Sequence, residues 1–216
     1  IKPSEVWQYR HLAWMFFKRD FSTFYKQTVL GPVWYVINPI VTSLIYLFVF
    51  GAIGKIPTGG VPNFAFYLSG IIVWTYFSTS FVANAETFSK NASLFGKVYF
   101  PRIVVPFSVA MSGGVTYTIQ FAILLVTVCA FLIFGVEIHL SWLLIVVAPL
   151  VGVYVALCGV GVGLVNSALT TRFRDLAYAA GFVVQLWMYA SPVIYLLSGV
   201  PEAYRWVYLF NPMAFP

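Results

Sequence analysis

Charge is what this sequence has least of. Eighteen Asp, Glu, Lys and Arg residues are spread over 216 positions, and none falls within 27–54, 56–85, 103–136, 138–171 or 176–201. Each gap reaches the roughly 20 apolar residues with which a helix crosses a hydrocarbon core of about 30 Å. A soluble domain could not keep its water-exposed loops uncharged over such lengths, so the chain is an integral membrane protein. A mean hydropathy of +0.90 places it well outside the soluble globular range.

Other shortages narrow the chemistry. The two cysteines, Cys129 and Cys158, both fall in mid-gap, where they read as small buried hydrophobes, and they make no disulfide framework. No phosphate-binding loop of the Walker type exists, because the Gly-Lys pairs at 54–55 and 96–97 are followed by Ile56 and Val98 rather than Ser or Thr. The chain is therefore not expected to hydrolyse ATP itself. No Ser-His-Asp set, carboxylate pair or ionisable relay crosses the gaps, which argues against an intramembrane hydrolase and a proton-coupled carrier. His139 beside Glu137 offers too few ligands for a metal and reads as a solvated turn. Glu86 reads as an interfacial charge. The sequence implies neither a metal nor a cofactor in this chain.

Apolar runs without alternation exclude barrel strands, so the fold class is all-α, a polytopic helical membrane protein. The gaps predict five spans, at 33–54, 63–85, 104–134, 142–169 and 176–197. Ten of the twelve basic residues precede the first span or lie in the second-to-third and fourth-to-fifth connections, while Lys55 and Arg205 lie on the opposite side. That bias predicts a cytoplasmic N-terminus. It also explains the net charge of +6 as topology and as attraction to anionic lipid or a protein partner, with no need for nucleic acid. Residues 198–216 read as the start of an outer re-entrant segment, and the sequence reads as a piece of a longer protein with a returning sixth span.

Residues 1–32 predict an amphipathic interface helix and a turn. Trp14, Phe17, Phe21 and Phe24 share one side of the helix, with His11, Lys18, Ser22 and Lys26 on the other, a pattern suited to the cytoplasmic membrane surface. Gly31 and Pro32 then turn the chain into the first span. Gly152, Ala156, Gly159 and Gly163 form a small-residue stripe that predicts close approach of another helix. Asn91, Leu94, Phe95, Gly96, Lys97, Val98 and Tyr99 place apolar groups beside cations in the longest basic loop, which predicts a contact surface. The short basic turn holds Arg172, Arg174 and Asp175. Asp175 reads as a locally partnered turn charge. Trp34, Tyr35, Tyr46, Trp187 and Tyr189 supply rings at or inside spans, and such rings can stack on sugar faces.

Five stretches together resemble the membrane subunit of ABC-2-type exporters of polysaccharide, O-antigen and teichoic-acid-like polymers. They are YKQTVLG at 25–31 with Trp34 and Pro39, LFGKVYFPR at 94–102, RFRDL at 172–176, SPVIY at 191–195 and NPM at 211–213. The resemblance implies one transmembrane domain over 1–216 in the bacterial inner (cytoplasmic) membrane. It also implies a homodimer of six-span subunits and two copies of a separate nucleotide-binding subunit carrying Mg-ATP. By the same resemblance, 4–26 is the interface helix and 91–100 the coupling helix. The substrate is a lipid-linked polysaccharide, O-antigen-like, passing along a path that uses the named aromatic residues. A teichoic acid exporter permease is the alternative within the family. A polyprenyl-linked glycosyltransferase or phosphatase is a reading of another class, for which Asp175 would be the one cytoplasmic carboxylate after the third span. A passive channel is disfavoured by the motifs.

Overall fold

A computed structural model describes residues 7–26, 30–96, 100–136, 143–173 and 175–214, except for the side chains at 20, 21, 23–26 and 94. Every regular element among these residues is helical. Helix α1 spans Arg10–Lys26. At Gly31 the backbone reaches φ +50°, which glycine alone adopts at no steric cost, and Pro32 pre-sets the following turn. Helix α2, Trp34–Tyr46, runs on through a π-helical Leu47–Ile53. Then come α3 (Asn63–Ala85), the short α4 (Thr87–Lys90) and α5 (Ala92–Phe95), and the long α6 (Val104–Ile133) and α7 (Leu143–Thr170). Helix α8 covers Asp175–Tyr189, and α9 covers Glu202–Tyr208.

Among the described residues, four helices are long and apolar enough to cross a membrane: Gly31–Ile53, Asn63–Ala85, Val104–Ile133 and Leu143–Thr170. The fifth predicted span is not confirmed as a helix of that length. The fifth gap yields a helix of 15 residues, about 22 Å long. Pro192 has no N–H to continue the ladder, and the residue before a proline avoids helical torsions. The chain leaves the helix after Tyr189 and folds back.

Helix α3 is the centre of the bundle, packing against α2, α6, α7 and α8, with Tyr67, Leu68, Ile72 and Phe77 almost wholly buried. The predicted stripe makes this possible. A methyl group on Gly159 would lie 2.7 Å from Ser80 Cβ, and one on Gly163 would lie 2.8 Å from the Phe81 carbonyl oxygen. On Gly152 it would strike the Tyr117 ring at 2.7 Å. Backbone thus sits on backbone where α7 meets α3, the geometry that small residues permit between membrane helices.

Candidate functional site

One end of the bundle gathers the elements expected to face the cytoplasm. Ala13 of α1 is buried with Phe100, Val104 and Val105, and Tyr9, Leu12, Phe16 and Phe95 pack around them. Phe95 lies 5.5 Å from the Phe100 ring and 6.1 Å from Phe88, with the Arg102 guanidinium 5.7 Å from its centroid. Two buried hydroxyls tie this end to α7. Ser167 Oγ accepts the Phe88 amide at 3.1 Å, and Thr170 Oγ1 donates to the Ala85 carbonyl at 3.2 Å. Asn91 closes α4 by donating to the Thr87 carbonyl at 2.9 Å, and Lys90 pairs with Glu86. A push on α4 or α5 therefore reaches α1, α6 and α7 together.

Above this platform a cavity of about 650 Å³ opens between α2, α3 and α6. Asn38, Thr75, Thr79, Ser80, Ser112, Thr116 and Gln120 line it with Trp34 and Tyr35, and no charged side chain is present. A proline in α2 shapes its wall. Pro39 cannot donate to the carbonyl of Tyr35 one turn back. Gln120, buried on α6, supplies an amide donor to that same oxygen at 3.5 Å. The Tyr35 phenol in turn is hydrogen-bonded to Thr116. A smaller space of about 170 Å³ shares Asn38 and Thr75 and extends the tract to Thr42, Tyr46 and Met188. Asn38 and Thr79 are exposed. Lipid would solvate such groups poorly, so this face is suited to water or a protein neighbour.

The opposite flank of α6 is different. A groove of about 540 Å³ between α6 and α7 is lined by Phe107, Met111, Pro149, Val153, Leu157 and Val160 among others. Its few polar atoms are spent on carbonyls: Tyr76 on Ala110 at 3.0 Å, Tyr117 on Ala148 at 2.8 Å and Thr118 on Gly114 at 2.8 Å.

At the far end Asn211 locks the fold-back. Its Oδ1 accepts from Trp187 Nε1 at 3.1 Å and from the Met213 amide at 3.0 Å. Its Nδ2 donates to the Ala190 carbonyl at 3.1 Å and to Ser191 Oγ at 2.9 Å. The hydroxyls of Tyr195 and Tyr208 meet at 2.8 Å, and Tyr154 donates to the Pro212 carbonyl at 2.6 Å. The SPVIY and NPM motifs, separated in sequence, are thus one structure.

A family model described as ABC-2 type transporter matches residues 11–216. The chain belongs to the ABC-2 type transporter family. Two relatives from Klebsiella pneumoniae, each an O-antigen export system permease protein RfbA, are 29% identical over 197 and 198 residues, covering 91% of this chain and 73% of each relative. A protein of the same description from Myxococcus xanthus is 28% identical over 212 residues, 97% of this chain and 78% of that protein.

Within this ABC-2 type chain the expected site residues separate into groups. Trp34 and Tyr35 line the large cavity, and Tyr46 lines its extension, with its hydroxyl 3.5 Å from Met188 Sδ. Trp187 instead anchors the fold-back, its ring edge-on to Phe77 at 5.1 Å, and Tyr189 is exposed beside it. Trp14 and Phe17 stack at 4.9 Å, and Lys18 lies 5.6 Å from the Trp14 centroid. Phe95 turns into the platform, while Gly96 is exposed. Arg172 lies 5.6 Å from the Phe173 ring, and Asp175 opens α8, where a carboxylate favours the helix dipole. Lys97, Val98, Tyr99, Arg174, Glu137 and His139 lie outside the described residues, as do the side chains of Phe21, Lys26 and Leu94. Among the described residues no cluster of His, Cys, Asp and Glu could hold a metal ion.

Sequence reasoning missed the cavity's hydroxyl and amide groups. The signal was available: Asn38 and Thr42, Thr75 and Thr79, and Ser112, Thr116 and Gln120 each recur every fourth residue on their helices.

Proposed function

We propose that this chain is the membrane-embedded permease subunit of an ATP-driven exporter that carries a lipid-linked, O-antigen-like polysaccharide across the bacterial inner membrane. Two copies form the conduit, and each docks a separate nucleotide-binding subunit that holds Mg-ATP. The N-terminus and the platform at α1, α4 and α5 face the cytoplasm, with α1 lying in the interface plane. Trp14 and Phe17 of α1 face lipid there, since Ala13 and Phe16 already occupy its protein side. The chain performs no bond chemistry itself.

The observation that carries this reading is the joint packing of α1 and the Phe88–Phe95–Phe100 ring cluster on the start of α6, directly beneath the polar cavity. ATP-driven closure of the partner subunits presses on α4 and α5. Ser167 and Thr170 pass that displacement to α7, and Phe100 passes it to α1 and α6. The spans then part, and sugar residues slide over Trp34, Tyr35 and the neighbouring hydroxyls through weak, repeated contacts. The relatives named as O-antigen export permeases support the choice of cargo.

Co-purification of the full-length permease with an ATPase encoded beside it tests the reading. The expected result is a complex with equal numbers of the two subunits, whose hydrolysis rises when lipid-linked glycan is added. Hydrolysis by the permease alone, or failure to associate with any such ATPase, contradicts it.

A further inference from the structure

We infer that the cavity between α2, α3 and α6 is a binding site for the hydroxyls of uncharged sugar residues, and that it selects neutral polymers over polyanionic ones such as polyol phosphates. This rests on the export reading above and names the class of cargo within it. Three observations carry it.

The first is charge. All residues lining the cavity come from 27–54, 56–85 and 103–136, segments without a single Lys, Arg, Asp or Glu. A phosphodiester in every repeat would lose water on entering and meet no cation in return, and an unpaired anion in such surroundings is strongly disfavoured. A hydroxyl loses far less, because it exchanges water for protein hydrogen bonds of similar strength.

The second is the state of the polar atoms. Thr79 donates to the Thr75 carbonyl at 2.7 Å, and Ser112 donates to the Ser108 carbonyl at 3.2 Å. Their oxygens therefore present lone pairs to the cavity as acceptors. Ser80 is 1% exposed and its Oγ has no partner within the described residues, although it borders the same space. That oxygen is closed off between the helices, so the amide offered to a ligand is that of Asn38, which is exposed at the cavity and can both donate and accept.

The third is shape. Trp34 and Tyr35 put aromatic faces beside these groups, which is the pairing of flat apolar and polar surfaces that a pyranose ring presents. Gly113 lets α6 lie close against α3 beside the cavity, since a methyl group there would lie 2.6 Å from the Tyr76 ring and 3.4 Å from Ser80 Oγ.

The test uses the full-length permease with its ATPase subunit in proteoliposomes. Two probes ride on one polyprenyl diphosphate carrier: polymannose, which is neutral in its repeats, and poly(glycerol phosphate). Polymannose should be transferred at least about tenfold faster. Asn38→Leu combined with Thr79→Val should slow polymannose about tenfold, the loss of one or two hydrogen bonds, while the complex still assembles. Thr79→Lys, at an exposed position, should narrow the gap by admitting the phosphate polymer. Equal transfer of both polymers by the unaltered complex overturns the selection and leaves export standing. Failure to transfer either polymer while ATP is hydrolysed overturns the export reading and this proposal with it.

Discussion

The two flanks of α6 are made from one helix yet face different surroundings. On the side of α2 and α3, Ser112, Thr116 and Gln120 border a polar cavity; on the side of α7, Phe107, Met111 and Thr118 border an apolar groove. The polar flank exposes the Asn38 amide beside hydroxyls from three residues of α3 and two of α6, whereas the other flank has few polar atoms, and those of Tyr117 and Thr118 are spent on carbonyls. A groove whose polar atoms are satisfied within the protein can lie against lipid. A cavity with open hydrogen-bonding capacity cannot do so cheaply. On the proposed reading, transport uses the first flank, and the second anchors the chain in the bilayer.

Paired substitutions sharpen that contrast, and the largest effect is expected where the bundle is tightest. Gly163→Ala forces a methyl group to within 2.8 Å of the Phe81 carbonyl oxygen, and should cost about 3 kcal/mol. Gly161 on the same helix has nothing within 4 Å, so Gly161→Ala should leave the melting temperature in detergent unchanged or raise it. Next comes Gln120→Leu, which strands the Tyr35 carbonyl and should cost about 2 kcal/mol. Its counterpart across α6, Thr118→Val, loses only a bond to its own helix and should fall within about 0.5 kcal/mol by the same melting measurement. Third, Ser112→Leu fills the cavity and should reduce polymer export by roughly tenfold, about 1.4 kcal/mol. Met111→Leu in the groove should export normally in the same surface-polymer assay. The smallest effect is at the rim, where Lys90→Ala removes a pair whose lysine is 68% exposed. It should change stability by less than about 0.5 kcal/mol and fade further in high salt. Equal behaviour within the Gln120 and Thr118 pair or the Ser112 and Met111 pair would break the distinction.

Much of the bundle was legible from where charge is missing, because a bilayer leaves a chain few ways to satisfy its backbone. Helix α3 forms over the predicted 63–85, and α6 and α7 end within a residue of expectation. The small-residue stripe also predicted close packing, though not that α3 would be the partner. The fold-back was harder to see. Apolar composition continues to Leu197, and the helix stops only because Pro192 breaks it and Asn211, twenty residues away, satisfies what is freed. Hydropathy carries no record of such a distant partner. On α1 the bulky line of Trp14 and Phe17 obscured Leu12, Ala13 and Phe16, the face that meets protein together with Tyr9 just before the helix. The cavity escaped notice because Ser and Thr in membrane helices so often bond their own backbone that composition says little about what else they meet.

Cysteine accessibility tests the central claim most directly. With Cys129 and Cys158 replaced by alanine, Thr79→Cys and Thr118→Cys are compared in membranes with a membrane-impermeant thiol reagent. Both positions are exposed on the protein surface and differ in the medium they face. The account predicts rapid labelling at 79 and almost none at 118. Equal labelling at the two positions, or faster reaction at 118, would contradict it.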